Sequence, residues 1–307
     1  MISDTAWETV FLTGGTGFLG GHLRSALADT DITVRHLVRP NSAVTPKAGE
    51  EIIRGDLTED QTFPLDDVDV VCHLAAQTDI QGAVDNPANT WEVNANGTLN
   101  LLESARKGDI DRFLLASTAS IYGTPQYLPI DETHPMNPRE PYGASKLAAD
   151  RLVNAYAHSY DLPTVTARLF NTYGPRQPEY NVIGHIIQQS LANDVVEVGN
   201  LSPSRDFLYV ADAVDALVTV LTDGALGEAY NIGSGSETTI KEVTDLIREL
   251  VEDDIEIVSK ADKQRDDDIE IERHLADTSK IADIGWQPTV SLRSGLQSTI
   301  EYFQSTH

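Results

Sequence analysis

Tyr142 and Lys146 stand four apart in Tyr-Gly-Ala-Ser-Lys, so on a helix their side chains share one face. An ammonium beside a phenol stabilises the phenolate and lowers the phenol's pKa toward a range useful to a general base. Thr118, at the end of an apolar run, can offer a hydroxyl to the same substrate oxygen. Alone, Tyr-x-x-x-Lys is a common surface pairing; it gains meaning from a second element upstream. Val10 to Leu23 reads V-F-L-T-G-G-T-G-F-L-G-G-H-L, a strand, a tight turn and a helix. Gly15, Gly17 and Gly20 fit G-x-G-x-x-G, and Gly14, Gly17 and Gly20 fit the wider G-x-x-G-x-x-G. The first glycines permit backbone angles that side chains forbid, Gly17 lets a pyrophosphate approach the backbone, and Gly20 lets the helix pack closely. The helix N-terminus then faces the phosphates.

The elements that must position these residues alternate along the chain. Thr33 to Val38 reads as a second strand, Glu51 to Arg54 as a third, Val68 to Leu74 as a buried fourth, and Arg112 to Ala116 as a fifth. Helical periodicity runs from Ala88 to Lys107. After a Pro-rich loop from Thr124 to Pro141, a helix from Tyr142 to Tyr160 precedes a sixth strand, Thr164 to Leu169. This alternation predicts an α/β fold, a doubly wound parallel sheet of Rossmann type covered on both faces. Ligands in such sheets bind beyond the C-terminal strand ends, where Thr13, Arg39, Ala75 and Thr118 fall. Past Asn171 the pattern loosens: 181–193 and 211–222 read as helices, 229–232 as a strand, Thr239 to Glu252 as a capped helix, and Leu292 to Phe303 as a last helix. The expected organisation is a dinucleotide-binding domain over 1–170, with 206–233 returning to it, and a smaller substrate-binding domain over 171–307.

The chain has 307 residues, 48 acidic against 22 basic, for a formal net charge of −26. Such a surface repels nucleic acid and anionic membranes, so neither is expected as a partner. Because 40% of residues are hydrophobic, disorder does not explain the acid excess. It resembles that of halophile proteins, whose self-repulsion concentrated salt screens. No window is apolar enough to span a membrane and Met1 to Glu8 is polar, which predicts a cytoplasmic protein. The single cysteine, Cys72, excludes an internal disulfide and reads as a core residue. His73 reads as a core histidine, Tyr122 and Tyr173 as packing, Asp266 to Asp268 as a solvated run, and no metal site is expected.

Taken together these motifs resemble the extended short-chain dehydrogenase/reductase family of NAD-dependent epimerases and dehydratases, in particular its nucleotide-sugar enzymes of the UDP-glucose 4-epimerase type. The resemblance runs nearly end to end, through Thr13 to Gly20, Gly55-Asp56-Leu57, His73 to Ala76, Asn94 with Gly97-Thr98, Ser117-Thr118, Tyr142 to Lys146, Arg168 to Pro175, Arg205-Asp206-Phe207 and Gly285 to Pro288. It implies that Thr118, Tyr142 and Lys146 are catalytic. It implies cofactor contacts from Gly14, Gly17, Phe18, Leu19, Gly20, Asp56, Leu57, Leu74, Ala75 and Ala76, together with Tyr142 and Lys146, with Asp56 meeting the adenine. Asn171, Arg205 and Arg265, with Thr118, resemble positions that hold the substrate's sugar and diphosphate; the arginine fork matches a phosphate edge.

The resemblance thus implies a homodimeric nucleotide-sugar 4-epimerase that oxidises C4 transiently with bound NAD or NADP. A 4,6-dehydratase is disfavoured, because such enzymes carry an acid just after the catalytic threonine, and here stand Ala119 and Ser120. An NADP-dependent reductase of 4-keto-6-deoxy sugars is the main alternative, since the loop Gly199 to Phe207 resembles that branch equally well. A non-catalytic dinucleotide sensor is the alternative of another class, and the intact Thr118, Tyr142 and Lys146 argue against it. Arg39 stands ~20 residues past the glycine turn, where NAD-binding members carry an acid for the ribose hydroxyls. A guanidinium there cannot accept those bonds but can pair with a 2′-phosphate, so NADP(H) is expected to bind at least as well as NAD(H).

Overall fold

Val10 and Leu12 pack into one hydrophobic core while Phe11 between them packs into another, the consequence of period-two alternation in a strand buried on both faces. This strand is β1 (Thr9–Thr13), an inner strand of the large sheet. In the computed structural model, which describes residues 7–59, 62–251, 255–260 and 270–306, β1 feeds the glycine turn and helix α1 (Phe18–Leu27). Next come β2 (Thr33–Val38), β3 (Glu50–Arg54) and β4 (Val70–His73). Two short helices, α2 (Ile80–Asp85) and α3 (Pro87–Trp91), a π-helical turn at Glu92–Asn96 and α4 (Gly97–Ala105) lead to β5 (Arg112–Thr118). Helix α5 (Pro141–Tyr160) and β6 (Thr164–Leu169) complete the continuous part of this layer.

The strands form a seven-stranded sheet in the order β10-β6-β5-β4-β1-β2-β3, where β10 is Ala229–Ile232, and every pairing in it is parallel. The fold is therefore the doubly wound α/β sheet the sequence predicts, with its reversal of strand order between β1 and β4. One face carries α1 and α7 (Val210–Asp223), the other α4 and α5. The helix expected over Ala88 to Lys107 is present as a continuous helical run over 87–105, with a π-helical turn in its middle. Asn86 caps a new start with Pro87 at the first turn, and the π-helical turn then buries Asn94.

Between β6 and α7, and again beyond β10, the chain builds a second unit. Strand β7 (Asn171–Tyr173) pairs with β9 (Ser204–Tyr209), which also pairs with β11 (Glu237–Thr239) and β13 (Arg273–His274). Strands β8 (Val195–Val198) and β12 (Glu256–Ser259) form a separate pair. Helices α6 (Val182–Ala192), α8 (Ile240–Val251) and α10 (Leu292–Thr306) bury a third core against these strands. A short α9 (Ser279–Ala282) packs beside β10. Residues 206–209 thus stand in the small sheet, while α7 and β10 lie on the large one. Asp206 explains the junction: buried in β9, it accepts bonds from the backbones of Ser234, Gly235 and Ala276 and ties the chain beyond β10 to the small sheet.

Candidate active site

The glycine turn is built for a close approach. Gly14 has φ +74°, and a Cβ there would stand 2.5 Å from the Ala75 backbone nitrogen. A Cβ on Gly20 would collide with the Gly14 carbonyl, so α1 can sit this near the turn only without one. Gly17, the N-cap of α1, is exposed and extended, provides no side-chain cap, and is followed by a first turn without an acidic residue. The leading N–H groups of α1 therefore point outward unpaired by any cap, which suits a dinucleotide's diphosphate. Phe18 and Leu19, half-buried, flank that opening, and Leu74, Ala75 and Ala76 cross it from the end of β4.

Tyr142 and Lys146 come together through α5. Glu140 caps this helix by accepting from the Tyr142 and Gly143 backbone nitrogens at 2.5 and 2.7 Å, and Pro141 occupies the first turn. The Thr118 side chain stands close enough to the Tyr142 hydroxyl to favour its ionised form. Thr118 ends β5 and caps the short turn after it, its Oγ1 accepting from the Ser120 nitrogen at 3.2 Å. Lys146 Nζ donates to the Ala116 carbonyl at 2.7 Å.

The expected lowering of the phenol is not what this arrangement produces. Burial pushes Tyr142 up to about 12 and brings Lys146 down to about 8, because both groups are fully enclosed. The charge of Glu140 nearby also raises Tyr142.

Behind the pair runs a chain of buried hydrogen bonds. His73 Nδ1 lies 2.7 Å from Thr13 Oγ1, and His73 Nε2 lies 2.9 Å from Thr98 Oγ1. Thr98 donates to the Asn94 carbonyl, Asn94 Nδ2 donates to Ser145 Oγ, and Ser145 donates to the Tyr142 carbonyl. His73 is the core histidine the sequence predicts: burial brings it down to about 3, and it stays neutral. Tyr122 and Tyr173 are both buried packing residues. Cys72 is buried, its thiol pushed up to about 12.

A small cleft of about 70 Å³ opens beside Ser120 and Glu140, lined also by Asn171, Arg205, His274 and Arg139. Asn171 and Arg205, from β7 and β9, are thus brought together next to the Thr118 turn. Arg205 Nη2 donates to Glu270 at 2.8 Å, a carboxylate standing where an anionic ligand group would pair. His274, 5% exposed, leaves its Nε2 without a partner. Sequence reasoning missed His274, Arg139 and Glu140. Only Glu140 had a signal, an acid directly before Pro at a helix start.

The remaining expected residues follow β2 and β3 or lie outside the described residues. Arg39 is exposed after β2, its carbonyl accepting from Arg54 Nη1 at 3.2 Å, and Arg54 also bonds the Pro40 and Ser42 carbonyls. Asp56 Oδ1 accepts from the Thr58 backbone and hydroxyl. The Leu57 side chain is buried in the core beneath α4, so only its backbone stands at the strand end. Arg265 lies outside the described residues. Among the described residues no group of three or more His, Cys, Asp or Glu is gathered for a metal ion, and no helix is long and apolar enough to cross a membrane.

A parallel sheet with a capless glycine turn, and a tyrosine, lysine and threonine at its strand ends, defines a dinucleotide-dependent enzyme of the extended short-chain dehydrogenase/reductase class. The chain belongs to the family described as GDP-mannose 4,6 dehydratase, whose model matches residues 11–299. It is 34% identical to a putative UDP-glucose 4-epimerase of Methanocaldococcus jannaschii, over 97% of this chain and 99% of that one. The solved UDP-glucose 4-epimerase of Thermotoga maritima with UDP-glucose superposes with a TM-score of 0.89 at 30% identity, covering 97% of this chain and 99% of that one. The RMD protein of Pseudomonas aeruginosa, solved with NADPH, gives a TM-score of 0.84 at 31% identity, covering 98% and 100%.

Proposed function

We propose that this protein is a nucleotide-sugar 4-epimerase that uses a bound NAD or NADP, with residues 7–170, α7 and β10 holding the cofactor and the rest of the chain the substrate. A dinucleotide held through its diphosphate at the glycine turn, with its nicotinamide toward Tyr142 and Lys146, would supply the hydride chemistry at the sugar's C4. Tyr142 Oη removes the proton of the 4-hydroxyl and gives it back. The Thr118 hydroxyl, beside that phenol, holds the same oxygen. Lys146, fixed on the Ala116 carbonyl, places its positive charge where the phenolate develops. The diphosphate lies toward Arg205, and Asn171 holds the sugar.

The observation that carries this reading is the chemistry available beside Thr118. Elimination of water across C5 and C6 needs an acid and a base at that end of the sugar. Ala119 is buried and Ser120 is a hydroxyl, while the Glu140 carboxylate nearby is engaged in capping α5. The site is thus equipped for proton and hydride transfer at C4 and not for elimination. The reductase reading keeps one observation in its favour, the exposed Arg39 where an acid would select NAD.

The deciding experiment incubates the protein with UDP-, GDP-, CDP- and dTDP-sugars and follows the anomeric and H4 protons by NMR. Inversion at C4 without net cofactor turnover is expected for one of them. Stoichiometric oxidation of NADPH with a 4-keto sugar would establish the reductase instead. Titrating NAD(H) and NADP(H), with Arg39→Asp for comparison, is expected to show NADP(H) bound at least as well by the native chain and worse by the variant.

A further inference from the structure

The loop after β7 leaves the C-terminal unit and lies on α1, the helix of the glycine turn. His22 Nε2 donates to the Pro175 carbonyl at 2.8 Å. The Arg176 guanidinium rests on the helix surface at Gly21, where a Cβ would stand 2.7 Å from Nη2 and 3.0 Å from Cζ. Arg176 holds this position with φ 68°, a left-handed backbone uncommon in a residue with a side chain. None of the ion pairs among the described residues includes it, although the chain has 48 acidic residues to offer.

Gly21 belongs to the first turn of α1, which begins at Phe18. Cα–Cβ bonds in a helix tilt toward its N-terminus, so a group standing at the Gly21 Cβ position lies toward Gly17 and Phe18. That is the open end described above, with no side-chain cap and no acidic residue in its first turn. A planar guanidinium laid flat there presents its N–H edge to any phosphate seated on the helix.

We propose that Arg176 binds the cofactor's diphosphate, clamping it against α1 from the C-terminal unit, and that Gly21 is glycine because a side chain there evicts the guanidinium. The inference rests on the dinucleotide reading of the site and is independent of whether the reaction is epimerisation or reduction. It also ties the substrate-binding unit to the cofactor: the same loop that continues from Asn171 reaches the diphosphate.

The test is a binding measurement on the full chain. NADH, ADP-ribose, ADP and adenosine are titrated into the native protein, Arg176→Ala, Arg176→Lys, Gly21→Ala and the Gly21→Ala/Arg176→Ala double variant. Arg176→Ala is expected to weaken the three phosphate-bearing ligands about tenfold, the loss of a charge-assisted bond, and to leave adenosine unchanged. Gly21→Ala keeps every atom of Arg176 and favours the helix, so it should melt no lower than the native chain yet lose the same affinity. The double variant should bind no worse than either single one, because both remove one interaction. Arg176→Lys should recover part of the loss. The role falls if Gly21→Ala binds NADH within twofold of the native chain, if the two losses multiply, or if adenosine weakens equally. A native chain that binds neither NAD(H) nor NADP(H) would overturn the dinucleotide reading and this inference together; variants indistinguishable from a binding native chain overturn only the inference.

Discussion

Two sets of buried polar side chains flank Tyr142, and they are completed in opposite ways. Behind the tyrosine, Thr13, His73, Thr98, Asn94 and Ser145 are all buried, and each finds its partner within the set or on nearby backbone. In front of it, His274 leaves a ring nitrogen unpaired and Arg205 is matched with a carboxylate. A buried polar group left unpaired costs about 1–3 kcal/mol, so the first set fixes geometry and the second holds a deficit that a ligand can supply. The rear set joins β1, β4, the π-helical turn, α4 and the start of α5, the helix that carries Tyr142. The front set lines the cleft.

The comparison can be broken in several places. The largest effect is expected at Tyr142 itself, the one group between the two sets. Tyr142→Phe keeps the ring and removes the ionisable oxygen, and should lower kcat by roughly 10²–10⁴ while cofactor affinity changes little. A variant keeping more than about a tenth of native activity would remove the tyrosine from the chemistry.

Next comes the rear set. His73→Leu preserves bulk but strips Thr13 and Thr98 of a shared partner, and should destabilise by about 2 kcal/mol, roughly 5 °C in Tm. An unchanged Tm would mean that the hydrogen-bonded chain does not brace the fold. In the front set, Glu270→Gln should tighten UDP or dTDP binding by about three- to tenfold, since the competing anion is gone, as calorimetry can measure. Weaker nucleotide binding would show that Glu270 helps to hold the ligand and does not stand in its place. The smallest effect concerns the surface that both sets share. With a net charge of −26, Tm should rise by a few degrees between 0.1 and 1 M NaCl, as the Debye length falls from ~10 to ~3 Å. A Tm that stayed level would separate the acid excess from any need for salt.

The sequence by itself determined the large sheet and named the residues of its candidate site. Strands β2, β6 and β10 fall where the sequence places them, because β-branched and aromatic residues such as Val34, Val38, Val165, Tyr230 and Ile232 stand between the turn-formers Pro40, Pro163, Gly227 and Gly233. The glycine turn and the Tyr142–Lys146 spacing are local too, set by backbone sterics and by the helical repeat. Much of the C-terminal unit was not legible. Strand β9, Ser-Arg-Asp-Phe-Leu-Tyr, buries its polar half as fully as its apolar half, so alternation gives no signal. Strands β7, β11 and β13 are too short for any period to show.

Only the tertiary structure decided how the phenol is tuned, since enclosure of Tyr142 and Lys146 outweighs the effect that their spacing alone predicts. It also buried Leu57, set His274 beside Ser120, and laid Arg176 across Gly21. Each of these depends on which distant segments meet. That is fixed by the packing of whole elements and not by any property of the residues nearby in the chain.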